Sequence, residues 1–359
     1  MPDPLLPYLL AFVTMLALNA YVVLGGADFG AGVWDLLARG PRKDVQREAI
    51  AHGIGPIWEA NHVWLILVVV LLFTCFPAVY AYLSVALHVP LVLMLIGIVL
   101  RGSAFTFRAY DSTNSPVQRW WGRIFSIAST VTPIVLGMIV GAIVSGAIVT
   151  PEGATFTERF LSPWLTPFAV AVGGLTVAVF AFLAAVYLTV EAETRDLQED
   201  FRRNALSAAV VVGACALAAL IAGRETASEL TDSLLTHALA FPLQIVTGVA
   251  ALAALAALIT RRYRVARAAA VVQVSAIVWG WGIAQFPWMV PGVHSITSAA
   301  APEVTQRLVA YGLAAGALLV VPSLWVLFSL FKSDRMSAFE RVDTAEYPAT
   351  DTSAPRDRR

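Results

Sequence analysis

Charge is what this chain has least of. Only 13% of its 359 residues are Asp, Glu, Lys or Arg, while 58% are apolar and the mean hydropathy is +0.75. Soluble domains carry about twice that share of charge, so a water-soluble globular protein is excluded and the chain reads as a polytopic membrane protein. Formal net charge is zero, so charge balance points to neither nucleic acid nor acidic partners, and only the placement of charges is informative. Cysteine is nearly absent. Cys75 and Cys215 lie in separate apolar segments, where they read as small buried hydrophobes and offer no disulfide framework or thiolate metal site. There is no Cys-x-x-Cys-His, no Walker loop, no dinucleotide fingerprint and no nucleophile elbow. The first apolar run lacks a basic leading region and a small-residue cleavage site, so it is expected to be a retained span.

What the chain has in abundance is long apolar runs. A helix needs about 20 residues to cross a hydrocarbon core of roughly 30 Å. Nine segments meet that requirement, at 6–35, 54–75, 79–105, 122–149, 163–190, 204–223, 236–260, 266–287 and 306–331. The expectation is an all-α integral membrane protein with nine transmembrane helices. Of the 24 Lys and Arg, 21 fall in alternate loops and the tail, leaving only Arg159, Arg224 and Arg307 on the other side. Basic flanks favour the cytoplasm, which places the N-terminus outside and the C-terminus inside. Residues 1–331 form a single polytopic transmembrane domain in this reading. Residues 332–359 are polar, with Pro348, Pro355 and a closing Arg-Asp-Arg-Arg, and read as a disordered cytoplasmic tail.

Against this background the polar residues inside the runs stand out. From Val63 to Phe76, the last residue before Pro77, there are only 14 residues, too few to cross the core at 1.5 Å each. The second span must therefore begin near Gly53 or Pro56. That draws Glu59, Asn61 and His62 into the cytoplasmic half of the membrane, with Trp58, Glu59 and His62 on one helical face. The first span ends in Gly25, Gly26, Asp28, Gly30, Gly32 and Asp35, and the third carries Arg101 at the same level. Two readings compete. Arg101 neutralises Asp28 or Glu59 as a buried structural pair, or the acids form a proton entrance from the cytoplasm. For Trp34, Trp58, Trp64, Trp120 and Trp121 interfacial anchoring is the plainer reading, favoured at Trp120 and Trp121. His52, His62, His88, His237 and His294 invite a haem reading, but a lone intramembrane histidine is more often a hydrogen-bonded packing residue. Of these, His88 is expected nearest mid-membrane, with His62 next.

The combination of Gly26-Ala27-Asp28-Phe29-Gly30, Ile54-Gly55-Pro56-Ile57-Trp58-Glu59-Ala60-Asn61-His62-Val63-Trp64-Leu65, Phe76-Pro77-Ala78-Val79-Tyr80 and Leu100-Arg101-Gly102-Ser103-Ala104-Phe105-Thr106-Phe107-Arg108 resembles subunit II of the cytochrome bd-type quinol oxidases. The stretch Gly282 to Pro291 is similar to that family's eighth span, and the resemblance runs to about Lys332. It implies two four-helix bundles, at about 6–149 and 163–287, plus one peripheral helix at 306–331. It implies pairing with a similar subunit I that carries haem b, haem d and the quinol-oxidation loop, in the bacterial cytoplasmic (inner) membrane. The resemblance leaves subunit II without a haem, as a scaffold that can hold a structural quinone and that supplies an acid to the proton path. That acid maps to Glu59, with Asp28 and His62 as further members of the path. Trp58, Asn61 and Trp64 map to quinone or partner contacts, and Arg101 and Arg108 to charge pairing; no metal site is implied. Three departures matter. Gly25 stands where the family often has Asp, Glu59 replaces the usual Asp, and His62 replaces the usual Glu or Gln. Imidazole titrates near neutral pH, which brings His62 into the proton path. Ubiquinol versus menaquinol and small accessory subunits stay open. A proton-coupled secondary transporter is the competing class, although paired interrupted helices in corresponding halves are missing. A pure assembly scaffold is the third reading.

Overall fold

The computed structural model describes residues 5–54, 58–110 and 116–332. The expected tail therefore lies outside the described residues, apart from Lys332. Lipid offers backbone groups no hydrogen-bond partners, so each apolar run has to satisfy its own, and the result is helix after helix. In order these are α1 (Leu6–Leu37), α2 (Lys43–Ile54), α3 (Trp58–Cys75), α4 (Pro77–Ala86), α5 (His88–Tyr110), α6 (Pro116–Val144), α7 (Phe156–Phe160), α8 (Pro167–Glu191), α9 (Arg195–Thr226), α10 (Ser228–Thr236), α11 (Ala240–Ile259), α12 (Tyr263–Gln285) and α13 (Glu303–Lys332). A small antiparallel hairpin, β1 (Trp288–Val290) with β2 (His294–Ser295), follows α12. Among the described residues α1, α5, α6, α8, α9, α11 and α12 are long and apolar enough to cross a membrane. Counting the bent pair α3 and α4 as one span makes eight. Residues from Val304 onward group as a second compact unit, whose described part is the rest of α13, a helix that carries Pro322 inside it.

The segment expected as one span at 79–105 is instead two helices. α4 turns by 114° from α3 and ends at Ala86, and α5 starts at His88. Proline explains both breaks. Pro77 occupies the first turn of α4, where its missing N–H costs nothing, and its ring forbids α3 from running on through Phe76. Pro90 lies four residues beyond Ala86, so its ring excludes a continuous helix through the Ala86 carbonyl. His88 consequently sits at the start of α5 instead of mid-span, where its Nδ1 lies 3.0 Å from the Val85 carbonyl.

α1 is, with α8, one of the two central helices of the first unit. It packs against α3, α6, α8 and α12, α5 packs on α6, and α8 bridges α6 to α9, while α11 pairs with α12. Glycines permit the closest of these approaches. A Cβ at Gly30 would overlap the backbone carbonyl of Phe180 on α8, and one at Gly32 would overlap the Ser129 side chain on α6. Phe29 stacks on Phe180 with ring centroids 6.3 Å apart. Trp34, which could have been a surface anchor, is buried instead and donates its indole N–H to the Ala181 carbonyl at 2.7 Å. Trp120 is exposed, and Trp121 stacks on Phe107.

Candidate functional site

The buried polar groups of the first unit converge on Arg101. It lies in the second half of α5, and its side chain is 2% exposed. Its Nη2 lies 2.6 Å from Oδ1 of Asp28 on α1, whose side chain is equally buried. The N–H does not point along that line, so the contact is an ion pair without an aligned hydrogen bond, and Asp28 Oδ2 has no hydrogen-bond partner among the described residues. Arg101 Nε donates to Ser129 Oγ on α6 at 3.2 Å. Its Nη1 lies 3.3 Å from His62 Nε2 on α3. The guanidinium carbon sits 4.7 Å from the Phe29 ring centroid and 5.4 Å from that of Phe125. Three helices, α1, α3 and α6, thus each contribute a polar group to the one arginine of α5.

This geometry sets the state of His62. A guanidinium only donates, so Nε2 must accept and the ring proton sits on Nδ1 in a neutral imidazole. Nδ1 is buried without a hydrogen-bond partner among the described residues. The ring packs edge-on to Phe29 and beside Tyr21. A haem does not fit here, because the one lone pair His62 could offer an iron is turned to Arg101. Among the described residues no three His, Cys, Asp or Glu side chains gather as a metal site.

A second acid lies two turns along α1. Asp35 is buried, accepts a hydrogen bond at Oδ2 from Ser126 Oγ of α6, and has its Oδ1 3.9 Å from Nε of Arg47 on α2. Arg47 Nε also donates to the Asp35 carbonyl at 3.3 Å. α2 is an amphipathic connector that buries Ile50 and latches to α9 through Arg42 and Gln46, both bonded to Asp200. Nearby, Glu199 of α9 gathers Arg202, Arg203 and Arg261. The Asp200 pairing keeps the exposed Arg42 guanidinium protonated even more firmly than usual.

Of the residues singled out by sequence, the structure brings Asp28, His62 and Arg101 together. Asn61 is buried on α3, and Trp64 is half-buried against the core. The side chains of Trp58, Glu59 and Arg108 lie outside the described residues. Ser129, Ser126 and Tyr21 are what sequence reasoning missed. Their signal was spacing: Tyr21, Asp28 and Asp35 recur every seven residues, and Ser126, Ser129 and Thr132 every three. Both rows lie on buried faces.

Comparison with known proteins now bears on this site. The family model described as cytochrome bd terminal oxidase subunit II matches residues 6–331. The chain is 28% identical over 204 residues to cytochrome bd ubiquinol oxidase subunit 2 of Bacillus subtilis (strain 168), covering 56% of this chain and 59% of that protein. It is 29% identical over 202 residues to cytochrome bd-I ubiquinol oxidase subunit 2 of Escherichia coli (strain K12), covering 55% and 52%. The matched part spans a little over half the length of these curated relatives. A chain in the solved structure of the bd oxidase from Geobacillus thermodenitrificans shares the fold, with a TM-score of 0.76 at 22% identity, over 91% of this chain and 98% of that one.

Proposed function

The chain belongs to the cytochrome bd terminal oxidase subunit II family, and from that premise we propose that it is the non-haem subunit of a terminal quinol:oxygen oxidoreductase. The complex would reduce oxygen to water with electrons from quinol, and haem b and haem d, carried by subunit I, would supply the electron transfer and oxygen chemistry. This chain would support that partner and deliver protons taken from the cytoplasm. In this reading it crosses the bacterial cytoplasmic membrane nine times, with α3, α13 and the seven long apolar helices as spans. The N-terminus is outside and the C-terminus inside. In the same reading α1, α3, α5 and α6 form one bundle and α8, α9, α11 and α12 the other.

The observation that carries the proton-path reading is the buried Asp28–Arg101 pair, with Asp28 Oδ2 lacking a donor among the described residues. A buried carboxylate oxygen in an apolar setting calls for a water or a passing proton. Glu59, on α3 one turn before His62, is the residue we assign as proton carrier. Asp28 and Arg101 fix the charge it meets, while neutral His62 accepts from Arg101 and presents the Nδ1 proton to the same layer. Trp58, Asn61 and Trp64 are assigned to contact with a quinone or with subunit I.

Gentle solubilisation with a tag on this chain tests the assignment. A haem-bearing partner should co-purify, with an absorption spectrum of haem b and haem d and quinol-dependent oxygen uptake. A colourless chain that purifies alone and moves protons with a solute would instead identify a transporter. Within the complex, Glu59→Gln should slow turnover and proton uptake while the haem spectrum is retained. Wild-type rates in that variant would remove Glu59 from the path.

A further inference from the structure

Asp35 is a buried carboxyl group that the assignment above does not use. It lies seven residues beyond Asp28, which is about 10 Å along α1 and within about 20° of the same face. Tyr21, Asp28 and Asp35 therefore line one buried stripe. Around Asp35, α6 contributes Ser126, and α2 contributes Arg47 to its carboxylate and its backbone carbonyl. The nearby Arg119 and Arg123 of α6 and His52 of α2 are exposed. Asp28 and Arg101 lie two turns inward, and the side chains of Glu59 and Arg108 lie outside the described residues.

Ser126 carries one hydroxyl proton but is within hydrogen-bond reach of two acceptors, Asp35 Oδ2 and the Gly122 carbonyl at 2.8 Å. A hydroxyl donates once and accepts twice, so the geometry satisfies either state of the acid. With Asp35 ionised, Ser126 donates to Oδ2. With Asp35 protonated, the carboxyl O–H donates to Ser126 Oγ and the hydroxyl rotates to the Gly122 carbonyl. One proton is gained or lost at Oδ2 and no heavy atom has to move. Arg47 is 40% exposed at its side chain, so the counter-charge beside Asp35 reaches water, whereas that beside Asp28 does not.

We propose that Asp35, with Ser126 as its reversible hydrogen-bond partner and Arg47 as its water-facing counter-charge, is a proton-loading group at the cytoplasmic mouth of the polar stripe on α1. The inference rests on the proton-path reading above. Asp35 takes a proton from cytoplasmic water and releases it inward, across two helical turns bridged by water, toward the open Oδ2 of Asp28.

The test uses the purified complex with its haem-bearing partner. Asp35→Asn should keep the haem spectrum yet slow oxygen uptake by about 100-fold, the low end of what a positioned proton-transfer group contributes. Asp35→Glu should restore most of the rate with an altered pH profile. Infrared difference spectra of the wild type should contain a pH-dependent carboxyl C=O band that Asp35→Asn removes. Full turnover in Asp35→Asn with the wild-type pH profile, while Glu59→Gln and Asp28→Asn are slow, overturns this inference alone. Wild-type rates in all three variants overturn the underlying proton path as well. Should Asp35→Asn fail to assemble, Ser126→Ala decides: a shifted or lost carboxyl band supports the assignment, and an unchanged band overturns it.

Discussion

The Asp28–Arg101 pair makes the sharpest energetic prediction. Both side chains are 2% exposed, so neither charge can turn to water if its partner is removed. Breaking a buried pair from one side costs about 3–5 kcal/mol, whereas replacing both members together is often close to neutral. Arg101→Met should therefore lower the thermal midpoint of the solubilised complex by roughly 6–10 °C, taking about 2 °C per kcal/mol for a chain this long. Asp28→Asn should cost a similar amount, partly offset because Arg101 keeps Ser129 and His62. The double variant should recover most of the loss, so the coupling energy in a double-mutant cycle should be about 5 kcal/mol, most of the sum of the two single effects. Heat-induced loss of the complex, followed by size-exclusion chromatography, is the assay. Additive single effects would refute the reasoning, since they would mean that water or an unseen group neutralises each charge separately.

Three further outcomes follow from particular contacts. Gly30→Ala should cost about 1–3 kcal/mol, because its Cβ meets the Phe180 backbone carbonyl and α8 would have to move, whereas Gly213→Ala, with open space around it, should be neutral or stabilising by up to about 1 kcal/mol; equal melting points for the two would sink this account. Trp34→Phe loses the hydrogen bond to the Ala181 carbonyl and should destabilise by about 1 kcal/mol, to be read as a lower melting temperature without a change in haem content. Outside the spans, Glu158 accepts from the backbone N–H and hydroxyl of Thr155, which holds its carboxyl below the usual 4.5. Its pKa is lower in the folded state, so the capping box contributes stability above about pH 4.5 and loses it as pH falls through the depressed value. Amide exchange at Thr155 and Glu158 should quicken on acidification in the wild type and show no such step in Glu158→Gln.

Of the nine expected spans, the seven that coincide with long apolar helices among the described residues were legible because length and apolarity decide what can cross lipid. The break between α4 and α5 was not read, since the first part of 79–105 is a nearly unbroken apolar run and its helix breaker, Pro90, acts four residues upstream of itself. Arg101 and Asp28 could be placed at one depth by counting residues from the loops. Which acid Arg101 would choose could not, because that depends on the rotation of α1, set by Gly30 against Phe180 and Gly32 against Ser129. His62 drew attention as a titratable group. Its place beside a guanidinium makes it a neutral acceptor instead, a distinction no spacing rule carries.

The two acids on α1 show how burial of the counter-charge divides their roles. Asp28 faces a guanidinium that is itself sealed among Phe29, Phe125, Ser129 and His62, so in the proposed path a proton reaches it from Asp35 and not directly from water, and its arrival weakens the pair with Arg101. Asp35 faces a hydroxyl that can reverse its hydrogen bond and an arginine that reaches water. A path that must accept protons from one side and retain them needs that order, with the adaptable acid nearer water and the committed one farther in. α2 maintains the observed order, because Ile50 anchors it in the core while Arg47 and Arg42 tie it to α1 and α9.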